Sequence, residues 1–170
     1  MTDFYNILDE ALEAWADARV GVLDEARNIP ANQWDFRPTP ESKTVRELVE
    51  HILEVAMMMT GELTRPDTDF RRAPWPLFLK KYAKPAYEAK TRGKLLKLLG
   101  SQLREGTKAF RAAGELHMLQ LIDRFDGQVG TRLAWLHHGI AQEMYHRGQL
   151  ATYSRLVEGE PALTRRIRSG

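Results

Sequence analysis

Apolar residues recur at helical spacing in four long stretches of the 170-residue chain. In the first, Phe4, Ile7, Leu8, Ala11, Trp15, Ala18, Val22 and Ala26 share one face, and Thr2 stands where an N-cap belongs. The pattern predicts a helix of about six turns, from roughly residue 3 to 27. Ile29-Pro30 ends it, because proline has no N–H and its predecessor avoids the α region. Thr44-Val45-Arg46-Glu47 reads as a capping box that opens a second helix near 44–62. Its inner stripe is Val45, Leu48, Ile52, Val55 and Met59, with His51 at the margin. A third helix, near 91–113, carries Leu95, Leu96, Leu99, Leu103 and Phe110. A fourth runs from about 131 to 157, where Gly159 and Pro161 stop it.

The connections differ in length. Residues 64–86 hold four of the eight prolines, which predicts a long connection with a short helical piece at 76–79. Residues 115–130 keep no period, and Asp126-Gly127 marks a turn there. No convincing β alternation is present. The expectation is an all-α four-helix bundle forming a single domain over 1–170. A short connection makes the first two helices antiparallel neighbours, and the long second connection permits a crossover with up-down-down-up topology.

The fourth helix has two stripes on opposite sides. One holds Leu133, Leu136, His137, Ile140 and Met144. The other holds Trp135, His138, Gln142, Tyr145, His146, Gln149 and Tyr153. A single apolar stripe is explained by a core alone, whereas here both faces want neighbours, one the bundle interior and the other a partner subunit. His138, Gln142 and His146 stand at successive i, i+4 positions and so line one ridge. With that ridge inside, His51 of the second helix meets it, which is how helical bundles build metal sites.

Composition narrows the chemistry. With no cysteine there is no disulfide, no thiolate zinc site and no cysteine nucleophile, so metal ligands must be His, carboxylate or amide. No apolar run approaches the ~18–20 residues that span a bilayer. The acidic start, Met1-Thr2-Asp3, is unlike a secretory signal, so a cytoplasmic location is expected. Charge is uneven: residues 1–63 hold five Lys/Arg against thirteen Asp/Glu, and residues 64–97 hold ten against three. The basic segment has no nucleic-acid reader motif and no aromatic-basic interleaving, so it reads as a solvated face lying against acidic helices. Glu143 and His117 read as solvent-facing, and Arg147 as facing a dimer or a substrate anion.

Trp34-Asp35-Phe36-Arg37-Pro38-Thr39-Pro40-Glu41-Ser42, then Glu47-Leu48-Val49-Glu50-His51-Ile52, and finally Glu143-Met144-Tyr145-His146-Arg147-Gly148-Gln149-Leu150 resemble the DinB-like superfamily over nearly the whole chain. The resemblance implies an up-down-down-up bundle, commonly a homodimer through the last helix, with a divalent metal such as Zn or Ni on three histidines. It also implies low-molecular-weight-thiol transferase or isomerase chemistry, as in bacillithiol- and mycothiol-dependent relatives. By position the ligands are His51, residue 142 and His146, but Gln142 stands where the family has histidine. An amide oxygen is a weaker donor than imidazole for Zn²⁺ or Ni²⁺. Three outcomes follow: a weakened His51-Gln142-His146 site, recruitment of His138, or loss of the metal. Recruitment ranks last, since His138 lies about 12 Å along the axis from His146. The alternative to an enzyme is a dimeric module whose pocket, lined by Trp135, Tyr145 and Tyr153, holds a small molecule without turnover.

Overall fold

The computed structural model describes residues 6–169. Helix α1 (Ile7–Asn28) opens at Asn6, whose extended backbone and side-chain oxygen, accepting from the Asp9 N–H at 2.9 Å, make the cap. The expected start near residue 3 and the Thr2 cap lie outside the described residues. The loop after α1 buries Trp34, and its carbonyls at Phe36 and Trp34 accept from the N–H groups of Val45 and Arg46. These are first-turn donors that α2 (Val45–Leu63) cannot satisfy itself. The predicted capping box of Thr44 and Glu47 is formed.

The long connection folds as α3 (Trp75–Tyr82) and α4 (Lys84–Glu88), with Phe70 and Phe78 turned into the core. Buried Glu62 anchors it by accepting from the Tyr82 hydroxyl at 2.5 Å and pairing with Arg72. Burial pushes the Glu62 carboxyl up, but these donors prevail and hold it below the usual value. The Tyr82 ring lies where a β-carbon on Gly61 would sit, 2.2 Å away, so only glycine fits there. Helix α5 (Arg92–Ala113) ends at Gly114, whose φ of +84° turns the chain into the short α6 (Glu115–Met118).

The segment without period is a hairpin. Strands β1 (Leu121–Asp123) and β2 (Val129–Thr131) pair antiparallel, and Asp69 bridges to Asp123. Three-residue strands are too short to show alternation. Thr131 caps α7 (Arg132–Leu156) by accepting from the Ala134 N–H. Gly159 and Pro161 end α7 as expected, but a further helix follows, α8 (Ala162–Ser169). The buried Glu25 carboxylate accepts from the N–H groups of Ala162 and Leu163 and so seats α8 on α1.

The long helices form the up-down-down-up bundle. Asp9 meets Arg111 and Arg19 meets Leu99, so α1 and α5 are antiparallel. Arg19 meets Glu143 and Asn28 meets Ser154, so α1 and α7 are parallel. Thr60 meets Gln102 on the parallel α2–α5 pair, and Arg132 meets Leu63 on the antiparallel α2–α7 pair. Each of α1 and α2 packs on both α5 and α7. The expected side-by-side pairing of α1 and α2 is therefore corrected: they are antiparallel but stand at opposite corners. The stripe of Leu133, Leu136 and Ile140 is buried in the chain's own core, whereas Met144 is exposed. No helix among the described residues is long and apolar enough to cross a membrane.

The core has two apolar halves. A buried polar network lies between them. Arg19 donates from Nε and Nη2 to the two oxygens of Glu143 at 2.8 and 2.5 Å, and from Nη1 to Gln102 Oε1 and the Leu99 carbonyl. Trp15 Nε1 donates to Glu143 at 2.7 Å, and Gln102 Nε2 donates to Thr60. Glu143 is thus no solvent-facing residue. Arg147 likewise lies over Gly21 of α1, within 3.9 Å of Asp17. Replacing Arg19 with Met should lower stability by about 3–5 kcal/mol, because it strands a buried carboxylate. The double variant Arg19→Met/Glu143→Leu should recover much of that loss in urea unfolding.

Candidate functional site

His51 and His146 face each other across the α2–α7 seam, their ring centroids 5.2 Å apart and their planes 82° to one another. His51 Nδ1 lies 3.1 Å from Glu54 Oε2, and His146 Nδ1 lies 2.6 Å from Gln149 Oε1. Both partners sit three residues along the same helix, where a side chain shares the face. An acceptor at Nδ1 places the ring proton there, which leaves Nε2 with its lone pair. No hydrogen bond from a described residue engages either Nε2.

The electrostatics favour neutral imidazole at His146. Burial pushes its pKa down, with His51 and Lys43 acting the same way and the Gln149 hydrogen bond opposing. The Glu54 carboxyl is held below its usual value by the His51 hydrogen bond. Tyr87, partly desolvated and beside that carboxylate, is pushed up to about 12.

Gln142, one turn before His146, has both amide atoms buried without a hydrogen-bond partner. It lines a cavity of about 240 Å³ together with His51, Val55, Met59 and Trp135. On its other side His51 borders a polar cleft of about 340 Å³ that includes Arg37, Lys43, Glu47 and Glu50. His51 therefore separates an apolar cavity from a charged cleft.

The structure thus faces His51 with His146 and sets His51 and Gln142 on the wall of one cavity, which His146 does not line. His138 is exposed, stacks on Trp135 at 4.7 Å and lines the far part of the cavity. Tyr145 is exposed beside His146, and Tyr153 turns away to pack on Phe36 and donate to the Lys43 carbonyl. Neither tyrosine lines the cavity, contrary to expectation. His137 is exposed, and His117 is held by the Leu63 carbonyl rather than free in solvent. Among the described residues, no group of three His, Asp, Glu or Cys is placed to hold an ion. Two wall residues, Trp75 and Phe125, were not foreseen. They come from the connection and the hairpin, which kept no period. The Nδ1 partners Glu54 and Gln149 could have been read from their i+3 spacing.

This is a helical bundle of unusual connectivity with a histidine-bearing pocket between its second and last long helices. A family model described as the DinB superfamily matches residues 11–150, and the chain belongs to that superfamily. Among solved structures, it resembles YfiT from Bacillus subtilis, described as a probable metal-dependent hydrolase with an unusual four-helix bundle topology. The TM-score is 0.71 at 14% identity, over 94% of this chain and 95% of that one. It also resembles the DinB-like protein YjoA from Bacillus subtilis, with a TM-score of 0.66 and 20% identity over 88% and 92% of the two chains. A third likeness is to a mycothiol-dependent maleylpyruvate isomerase, with a TM-score of 0.68 and 15% identity over 88% of this chain and 63% of that one. None of the curated proteins matches the chain in sequence.

The depressed His146 pKa has a consequence for stability. Protonation favours the unfolded chain, so the His146 contribution is full above the ordinary value of 6.5 and is lost as pH falls through the lower folded value. An NMR titration of the chelator-treated protein should place the His146 midpoint below 6.5. The His146→Phe variant should lose less stability than the parent between about pH 7 and pH 5.

Proposed function

We propose that this DinB-superfamily protein is a divalent-metal-dependent enzyme that activates a low-molecular-weight thiol toward an electrophile. The observation that carries the reading is the pair of facing imidazoles with both Nδ1 atoms engaged. An outer partner at one ring nitrogen, with the other left free, is the arrangement by which metal-binding histidines are oriented. Gln142 supplies the missing oxygen donor: its buried, unpartnered amide costs about 1–3 kcal/mol per group unless something binds it. The donor set therefore fits a cation, with His51 Nε2, His146 Nε2 and Gln142 Oε1 as ligands and water completing the shell.

When bound, the cation supplies a Lewis acid that lowers a thiol's pKa. The chain's own residues do the rest. Glu54 and Gln149 fix the tautomers and orientations of the two rings. Burial keeps His146 neutral and able to donate its lone pair. Val55 and Met59 give the cavity apolar walls beside His51. The adjoining cleft sets two cations, Arg37 and Lys43, among four glutamates and so offers charged partners of both signs to a polar thiol. The metal-dependent and mycothiol-dependent descriptions of the structural neighbours support this reading.

A second reading, a pocket that holds a small molecule without turnover, is favoured by the lack of a third ionisable ligand among the described residues. Calorimetric titration with Zn²⁺ and Ni²⁺ separates the two. The enzyme reading expects saturable binding that His51→Ala abolishes and that Glu54→Gln weakens by about 10- to 100-fold. Gln142→His should tighten binding by about tenfold or more, since imidazole is the better donor. Absence of saturable binding by the parent protein rejects the enzyme reading.

A further inference from the structure

The α2–α7 cavity has features that holding a cation does not require. Away from His51 its walls are aromatic, with His138 beside them. Trp75 and Phe125 lie 5.0 Å apart by ring centroid, and Phe125 and Trp135 lie 5.3 Å apart. Trp135 Nε1 is buried without a partner, as is Gln142 Nε2, the amide atom a cation leaves unused. The cavity lining contains no acidic side chain, and the Arg124 guanidinium sits 4.7 Å from the centre of the Trp135 ring.

We propose that this cavity is a specificity subsite for an aromatic group of one or two fused rings that bears one oxygen or nitrogen function. The ring lies against the wall that Trp75, Phe125 and Trp135 form, and its polar function accepts from Gln142 Nε2. The inference deepens the reading above by naming the class of the electrophile, and rests on that reading only for the reaction it serves.

Size, charge and polarity each select this class. A dry cavity of about 150 Å³ holds one benzene, so about 240 Å³ admits a larger, bicyclic group. Aromatic cages of similar build also hold methylated ammonium groups. Here the lining lacks a carboxylate and Arg124 is already stacked on one wall, which opposes a cation. Gln142 Nε2 donates, so a hydroxyl or carbonyl oxygen or a ring nitrogen satisfies it where a pure hydrocarbon does not. Two of the three walls come from α3 and the hairpin tip, outside the long helices, so the selecting surface is separate from the elements that carry the histidines.

The test follows the four tryptophan indole N–H signals by NMR in the chelator-treated protein, assigned by Trp→Phe variants. On addition of 2-naphthol, the Trp75 and Trp135 signals should shift saturably, while Trp15 and Trp34 of the inner core should not. The Phe125→Ala variant should weaken 2-naphthol about three- to tenfold. Phe125 is more than half exposed, so this change spares the core. Gln142→Leu should remove the preference for 2-naphthol over naphthalene. The inference is overturned if Trp75 and Trp135 do not shift saturably at millimolar 2-naphthol, or if all four signals move alike. It is equally overturned if benzyltrimethylammonium binds more tightly than 2-naphthol. A parallel Zn²⁺ titration keeps the two ideas apart: zinc binding without 2-naphthol binding sinks the subsite alone, and the converse sinks the metal-dependent reading alone.

Discussion

The buried ion pair between Arg19 and Glu143 is the constraint on which the rest of this molecule depends. Both side chains are essentially inaccessible to water. Two charges taken out of water stabilise little by attraction alone, and much of what they gain offsets desolvation. What they impose is register. The guanidinium has fixed donor directions, and here they reach α7 through Glu143 and α5 through Gln102 and the Leu99 carbonyl. Gln102 passes the constraint to α2 through Thr60. A slide or rotation of any one long helix would leave a buried charge or amide without its partner. Apolar packing tolerates small slips of that kind far better.

That constraint also aims the pocket. Residues on a helix advance by roughly 100° each. With Glu143 pinned toward α1, residues 139, 142 and 146 all fall on one ridge roughly 40–100° to one side, and that side faces α2. Gly139, Gln142 and His146 are therefore presented to α2 as a set, and Gly139 lies against Met59 of α2. Arg147 falls on the other side of Glu143, over Gly21. One charged contact on the α1 side thus fixes which residues the α2 side receives, and neutral His146 meets His51 there without a repelling charge.

Much of this was readable from residues. Four apolar periods marked the long helices, and Thr44 with Glu47 marked one boundary closely. The i, i+4 ridge on the last helix and the marginal position of His51 pointed to their meeting. Three features were illegible for physical reasons. The corner placement of α1 and α2 comes from packing, and a connection long enough to reach a neighbour is also long enough to reach the diagonal. The inward turn of Glu143 depended on an arginine 124 positions away in sequence, and a glutamate on a helix carries no local sign of such a partner. The hairpin and α8 are too short or too charged to keep an apolar period, yet Phe125 supplies a wall of the cavity.

The pocket opens beside the polar layer, where Gln142 adjoins Glu143. Where two apolar halves meet at a polar layer, side chains cannot all interlock as hydrocarbon, and a gap costs least where its lining is already polar or adaptable. Met59 and Gly139 leave room on the two facing helices, and Gln142 puts an unpaired amide into it. In a core built only for stability, that amide would be an apolar residue or would find a partner within the chain. It is the group that the proposed ligand would complete. The buried ion pair one residue along α7 then has a second consequence: it fixes the rotation of α7 that turns this amide toward α2.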